Sequence, residues 1–520
     1  MHATEAEEEP QMPPENQPAG GFDDTPIPWA PPGYTLKFTF HRANNLPFAD
    51  FNSFSSDPYI VAQLITDLPR RHKQDPLFLF RTPTVRRDTN PVWEAQWIVA
   101  NVPASGFYLK CRIYDEDPAD HDDRLGNVHV VVDGIDDGWE GIHQQAFPVR
   151  KRSGSKRAYA IRSVAAALSR NRKLDAELIL SVECLGRTEG DNGGQMYTVG
   201  PMHWFKHFSP LIGRLVGTSA AADDHDGSGR ALTYNFPAVQ MQLRGPVPSV
   251  LYHRYVEFRP FVAGMFTSKT LRGRILNRAL HHQHARIYNF DRSTLYGQFP
   301  EPSVDVTRHF LEFVDYGRGG RIFTYVLTLD GQFRFTETGK EFGIDLLSKH
   351  TMHSDVSIYI AFSGEFFVRR RKHHHRANGS RGSNSTEEEA DSSKDPSMYE
   401  LIIDNDSGTY RPNGTLLPVL REFLSSNFPE LHITTLDCQA DADRMNRLKE
   451  ERRQIKAQSR AGVVYLQPKL GSESSLSSSD EEEMAIRAGQ PGKARSELRQ
   501  QLHDAKNVKD RYRRWLEEQP

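Results

Sequence analysis

Carboxylates gather at two places in the first third of the chain. Asp115, Glu116 and Asp117 are consecutive, with Asp122 and Asp123 shortly after. Upstream, Asp50 and Asp57 flank a short segment that runs into Pro58 and Tyr59. So many acids on two loop tips repel one another unless a cation sits between them. Calcium suits such a set, because it takes six to eight oxygen ligands at flexible angles. Two Asp-rich loops at one end of a β-sandwich can supply that coordination.

The segments that must position these loops read as strands. Residues 34–46 alternate apolar and polar side chains, as a half-buried strand does. Residues 176–184, Ala-Glu-Leu-Ile-Leu-Ser-Val-Glu-Cys, alternate in the same way. Residues 1–33 are rich in Pro and Glu and are expected to be disordered, so one strand only precedes the Asp50 loop. The sandwich must then be closed from its C-terminal side by the 176–184 strand. An Arg- and Lys-rich insertion, 149–174, lies before that strand, with a short helix expected over 163–169.

Four stretches carry a family resemblance. Ser56-Asp57-Pro58-Tyr59-Ile60-Val61, Asn90-Pro91-Val92-Trp93, Tyr114-Asp115-Glu116-Asp117 and Asp123-Arg124-Leu125-Gly126 resemble the signatures of the C2 domain, a calcium- and phospholipid-binding β-sandwich. The resemblance covers residues 34–187 and implies the permuted, type II-like topology. Carried over position by position, it implies calcium ligands at Asp50, Asp57, Asp115, Asp117 and Asp123. Asp50 and Asp57 stand one residue further apart than is common in the family, and Asp122 is an equally acidic neighbour of Asp123.

Two features point toward lipid. Phe51 and Phe54 lie between two of the implied ligands, and exposed aromatics usually mark a contact surface. Arg70, Arg71, Lys73, Arg81, Arg86 and Arg87 fall within twenty residues that hold few acids. On one sheet face they would attract anionic lipid, at about 1 kcal/mol per basic residue. Phe51, Phe54, Arg70, Arg71, Lys73 and Arg86 are therefore the expected lipid contacts.

Composition bounds the remainder. A chain of 520 residues holds two or three domains. Its net charge of −3 gives no general attraction to nucleic acid. Three widely spaced cysteines suit a reducing compartment. Glu5, Glu7, Glu8 and Glu9 are unlike a signal peptide, and no apolar run reaches the roughly twenty residues of a membrane span. Residues 188–230 read as a linker, within which 201–216 is apolar at near-helical spacing. Residues 231–440 read as an α+β (or α/β) domain with a disordered insertion at 372–396. Within it, a hairpin is expected about Asp330-Gly331, helices over 338–348 and 416–427, and strands over 364–369, 399–403 and 431–436. Residues 441–520 read as a charged tail ending in an amphipathic helix. Its first part, 441–460, holds seven basic and four acidic residues and suggests an exposed helix.

No Gly-x-Ser-x-Gly, P-loop, Gly-x-Gly-x-x-Gly or His-Glu-x-x-His pattern occurs. His350, His353, Asp404 and Asp406 are the acid–base candidates that remain. The expectation is a cytoplasmic, non-enzymatic adaptor. It would bind anionic phospholipid peripherally through Ca2+ and a protein partner through its C-terminal domain or final helix. A C2-recruited enzyme with chemistry in 340–410, and a calcium-independent interaction scaffold, are the alternatives. The layout of a C2 domain followed by a second domain also resembles fungal C2-domain proteins.

Overall fold

The structure is a computed structural model. It describes residues 21–22, 25–47, 55–72, 75–116, 122–150, 175–190, 194–209, 236–254, 288, 290, 294–338, 359–371, 394–406 and 411–458. After a short strand β1 (Gly21–Phe22), strands β2 (Tyr34–Asn44), β3 (Pro58–Ile65), β4 (Leu79–Arg81), β5 (Val92–Val102), β6 (Phe107–Asp115), β7 (Asp123–Val132), β8 (Ile142–Pro148), β9 (Glu177–Arg187) and β10 (Tyr197–Gly200) follow. They form two facing sheets, ordered β10-β5-β2-β9-β8 and β4-β3-β6-β7. β9 lies between β2 and β8, so the last long strand of the sandwich closes beside its first.

Strand alternation builds this core. Along β6, Phe107, Leu109, Cys111, Ile113 and Asp115 turn inward, while the residues between them are partly exposed. Phe38, Phe40, Phe80 and Trp97 meet them from the other strands. Cys111, Cys184 and Cys438 are unpaired thiols, and burial pushes that of Cys111 up.

A second unit, built on one eight-stranded sheet, follows at once. Its strands are β11 (Met202–Ser209), β12 (Phe236–Gln242), β14 (Leu295–Phe299), β15 (Ile322–Leu327), β16 (Gln332–Thr338), β18 (Phe362–Arg370), β19 (Tyr399–Asp404) and β20 (His432–Leu436), in the order β14-β11-β12-β16-β15-β18-β19-β20. Helices α1 (Val304–Phe313), α2 (Leu417–Asn427) and α3 (Ala442–Gln458) accompany it. Ser303 caps α1 by accepting from the Val306 N–H, and α1 buries Val306, Phe310 and Phe313. Phe310, Phe323, Phe333, Phe335, Phe366 and Phe428 form the aromatic centre of this unit. The hairpin of β15 and β16 turns at Asp330-Gly331, where Gly331 adopts φ +80°. β19 and β20 run parallel, joined through α2.

Three expectations are corrected. Residues 202–209 are strand, not helix, and belong to the eight-stranded sheet rather than to a linker. A short apolar run fits both periods, and here hydrogen bonding on both sides decides for the strand. Second, residues 1–33 are not wholly without structure: β1 pairs with β13 (His253–Arg254), which pairs with β17 (Tyr359–Ile360), and Ala30 is buried. Third, α3 is not simply an exposed tail helix. Met445 joins Ile322, Phe367, Ile402, Leu436 and Cys438 in a small core. Lys449 is buried too, its Nζ 2.7 Å from Asp404 Oδ2 and 2.8 Å from Glu365 Oε2. Burial works against the Lys449 charge, but Asp404 and Glu365 outweigh it and raise its pKa above the ordinary lysine range. Gly364 lets β18 approach this point: a Cβ there would lie 2.0 Å from the Asp404 carbonyl oxygen. The helix expected over 163–169, that expected over 338–348 apart from Thr338, which ends β16, the insertion 372–396 for all but its last three residues, His350, His353 and the final helix lie outside the described residues.

Two measurements test this packing. Lys449→Ala strands two buried carboxylates and should cost about 3–5 kcal/mol in denaturant unfolding. Burial also pushes His203 down to about 4 and His207 down to about 3. The unfolded chain takes up these protons near the ordinary histidine value of about 6.5, while the folded chain does not. Stability is therefore full above that pH and is lost as pH falls toward 4. His207→Gln should flatten the decline between pH 7 and 5, read from urea midpoints.

Candidate functional site

Three connections of the sandwich meet at one end: β2 to β3, β4 to β5, and β6 to β7. Register places them there, since Pro58 pairs with Asp115, and Asp115 pairs with Asp123. Backbone bonds tie the loops together. The Leu46 N–H donates to Thr89 O at 2.8 Å, Asn45 N–H to Asn90 Oδ1 at 2.8 Å, and Asp88 N–H to Ser56 O at 2.9 Å. Trp93 Nε1 donates to Pro58 O at 3.3 Å. The Asn-Pro-Val-Trp turn thus braces both neighbouring loops.

Asp57 and Asp115 are both nearly buried and in direct contact: the Asp57 N–H donates to Asp115 Oδ1 at 2.5 Å. Glu116 N–H donates back to Asp57 O at 3.0 Å. Asp122 accepts from the Tyr59 hydroxyl at 2.5 Å, and Asp123 is exposed opposite Asp115. Burial, with Asp122 adding to it, drives the Tyr59 hydroxyl pKa far up, so it remains a donor. Asp50, Asp117, Phe51 and Phe54 lie outside the described residues. Among the described residues, no three of His, Cys, Asp and Glu stand in a metal-holding arrangement. The structure thus brings Asp57, Asp115, Asp122 and Asp123 to one end. Their donors are all carboxylate oxygens, the chemistry that calcium prefers.

The basic residues are arranged differently from a single open face. Arg86 donates from Nη1 to Asp57 Oδ2 at 3.1 Å and from Nη2 to Glu116 Oε1 at 2.5 Å. The Arg87 N–H takes the other Asp57 oxygen at 2.8 Å. Arg81 donates to Glu116 Oε2 at 3.1 Å, and Thr84 also donates to that oxygen. The guanidinium of Arg81 stands 3.8 Å from the Tyr59 ring centre and 3.2 Å from that of Phe290. Arg71 stands over Tyr252 of the second unit, and it lines an inter-unit cleft together with Arg70. His72 stacks on Tyr359 at 4.3 Å. Lys73 is outside the described residues.

Sequence reasoning missed Glu116, which looks like a ligand by type yet has a side chain with no exposure at all. The signal was available: one residue out of step with Asp115 and Asp117, beside a segment with two arginines and few acids. Asp404, one of two described acid–base candidates in the second unit, is held by Lys449, while its Oδ1 accepts from the N–H groups of Glu365 and Asp406. The other, Asp406, stands 3.9 Å from Lys449 Nζ and 3.6 Å from Arg411 Nε.

Residues 34–145 match the family model described as C2 domain. The chain carries a C2 domain. Among solved structures it is similar to a C2 domain of plant Extended Synaptotagmin 1, at 16% identity over 30% of this chain and 98% of that one, with a TM-score of 0.21. The paired, calcium-bound C2 domains of Extended-Synaptotagmin 2 give 16% identity over 35% of this chain and 59% of that one, with a TM-score of 0.22. Human GIVD cytosolic phospholipase A2 gives 18% identity over 34% of this chain and 21% of its own, with a TM-score of 0.20. The chain thus spans about a fifth of the phospholipase it resembles. A search of curated proteins gives no match.

Glu116→Ala should leave Arg81 and Arg86 without their buried partner. The expected cost is about 3–5 kcal/mol of C2-domain stability. Asp123→Ala, at an exposed acid, should stay within about 0.5 kcal/mol. Paired urea melts of the full chain decide between them.

Proposed function

We propose that the chain is a calcium-dependent, peripheral phospholipid-binding adaptor of the cytoplasmic side. Ca2+ would be held by Asp57, Asp115 and Asp123, with Asp50 and Asp117 completing the set, and would bridge to lipid phosphate. Phe51 and Phe54 would enter the headgroup boundary. Arg70 and Arg71 follow the far end of β3 and face the second unit, and Arg86 is bonded to Asp57 and Glu116, so these expected basic contacts are left out of the lipid surface. The second unit would carry a protein partner. What supports this reading is strand register, which sets Asp57, Asp115 and Asp123 at the same end of the sandwich that matches the C2 domain model. No described helix is long and apolar enough to cross a membrane.

One observation favours a second reading, a calcium-independent interaction module: a guanidinium already lies on Asp57. Co-sedimentation separates the two. Wild type should pellet with phosphatidylserine vesicles in calcium and not in chelator. Asp115→Asn combined with Asp117→Asn should lose the calcium-stimulated fraction and keep its melting midpoint. Pelleting that ignores calcium in both proteins would favour the second reading.

A further inference from the structure

Arg86 occupies an unusual place in this loop end. Its guanidinium is only partly exposed, and it bridges two carboxylates of different kinds. Glu116 is wholly buried and also bonded to Arg81 and Thr84, so it is a fixed structural anion. Asp57 is one of the proposed calcium ligands. Both of its oxygens are engaged, Oδ2 by Arg86 and Oδ1 by the Arg87 N–H.

We infer that Arg86 is a tethered cation of the calcium site, a built-in competitor that must swing off Asp57 before Asp57 can serve a metal. The inference rests on the calcium reading above and adds what sets the affinity. A divalent ion beside Asp57 would share that carboxylate with a guanidinium, and like charges at such range repel. Glu116 gives Arg86 somewhere to remain when it lets go of Asp57. The exchange therefore needs one side-chain bond to break, with no backbone rearrangement. Arg86 thereby neutralises Asp57 while calcium is low and raises the calcium level at which the loops respond. It also offsets repulsion between Asp57 and the neighbouring acids, so the residue that ties Asp57 to Glu116 is the same one that would delay the metal.

Calorimetric titration of the full chain with calcium tests this, using wild type, Arg86→Gln and Arg86→Lys. Removing the charge should tighten calcium binding by roughly 5- to 20-fold, while Lys, which keeps it, should stay within about 3-fold of wild type. Without calcium, Arg86→Gln should melt below wild type, and saturating calcium should narrow the gap, because binding to the folded state adds stability. Binding that is unchanged or weaker in Arg86→Gln would overturn the inference. Equal weakening in Gln and Lys would also overturn it, since that pattern marks a residue that only positions Asp57. Heat in Arg86→Gln alone would support it strongly. No heat in any of the three would remove the calcium reading itself. If Arg86→Gln does not fold, the arginine side-chain NMR signals of wild type serve instead. The Arg86 signal should move as calcium is added, and a static one overturns the proposal.

Discussion

The loop end is organised around a carboxylate shut away from solvent. A buried anion is tolerated only where cations and donors replace its hydration. Glu116 meets that demand with Arg81, Arg86 and Thr84. Once those groups are committed, much else is fixed. Arg86 carries the constraint to Asp57, and the Glu116 and Asp57 main chains bond to one another. Arg81 carries it the other way, to the Tyr59 ring on β3 and to Phe290 beyond the sandwich. An ion pair that adds little net stability by itself can still decide where three loops lie.

The second unit uses the same device with the signs exchanged. There the buried residue is a cation, Lys449, and carboxylates from β18 and β19 surround it. It fastens α3 across the sheet, although the helix is highly charged over most of its surface. Both clusters join elements distant in sequence, and both sit where a run of charged residues would ordinarily suggest a solvated face.

That explains which parts of the sequence could be read. The sandwich was legible because period-two alternation and the Asp-Pro-Tyr and Asn-Pro-Val-Trp turns encode local geometry. The closing strand β9 was legible for the same reason. The hairpin at Asp330-Gly331 follows from turn chemistry. Residues 202–209 were misread because Trp204, Phe205 and Phe208 satisfy a helical spacing as well as a strand, and the partners that decide lie at 236–242 and 295–299. The roles of Glu116, Arg86 and Lys449 were hidden because a charged side chain shows its partner only after folding. Asp57 and Asp115 were visible as types, but not the fact that a neighbouring arginine reaches one of them.

β10 ends at Gly200 and β11 begins at Met202. The first belongs to the five-stranded sheet of the sandwich and the second to the eight-stranded sheet, so a single residue, Pro201, separates the two layers. Where a flexible tether would let the second unit sample a wide sphere, this junction makes it a bracket. Were the loop end to rest on a surface, that surface would set the tilt and height of everything attached beyond residue 202. A cargo on the second unit would be displayed at one angle rather than swept through many, and changing the length of this joint by even a residue would re-aim it.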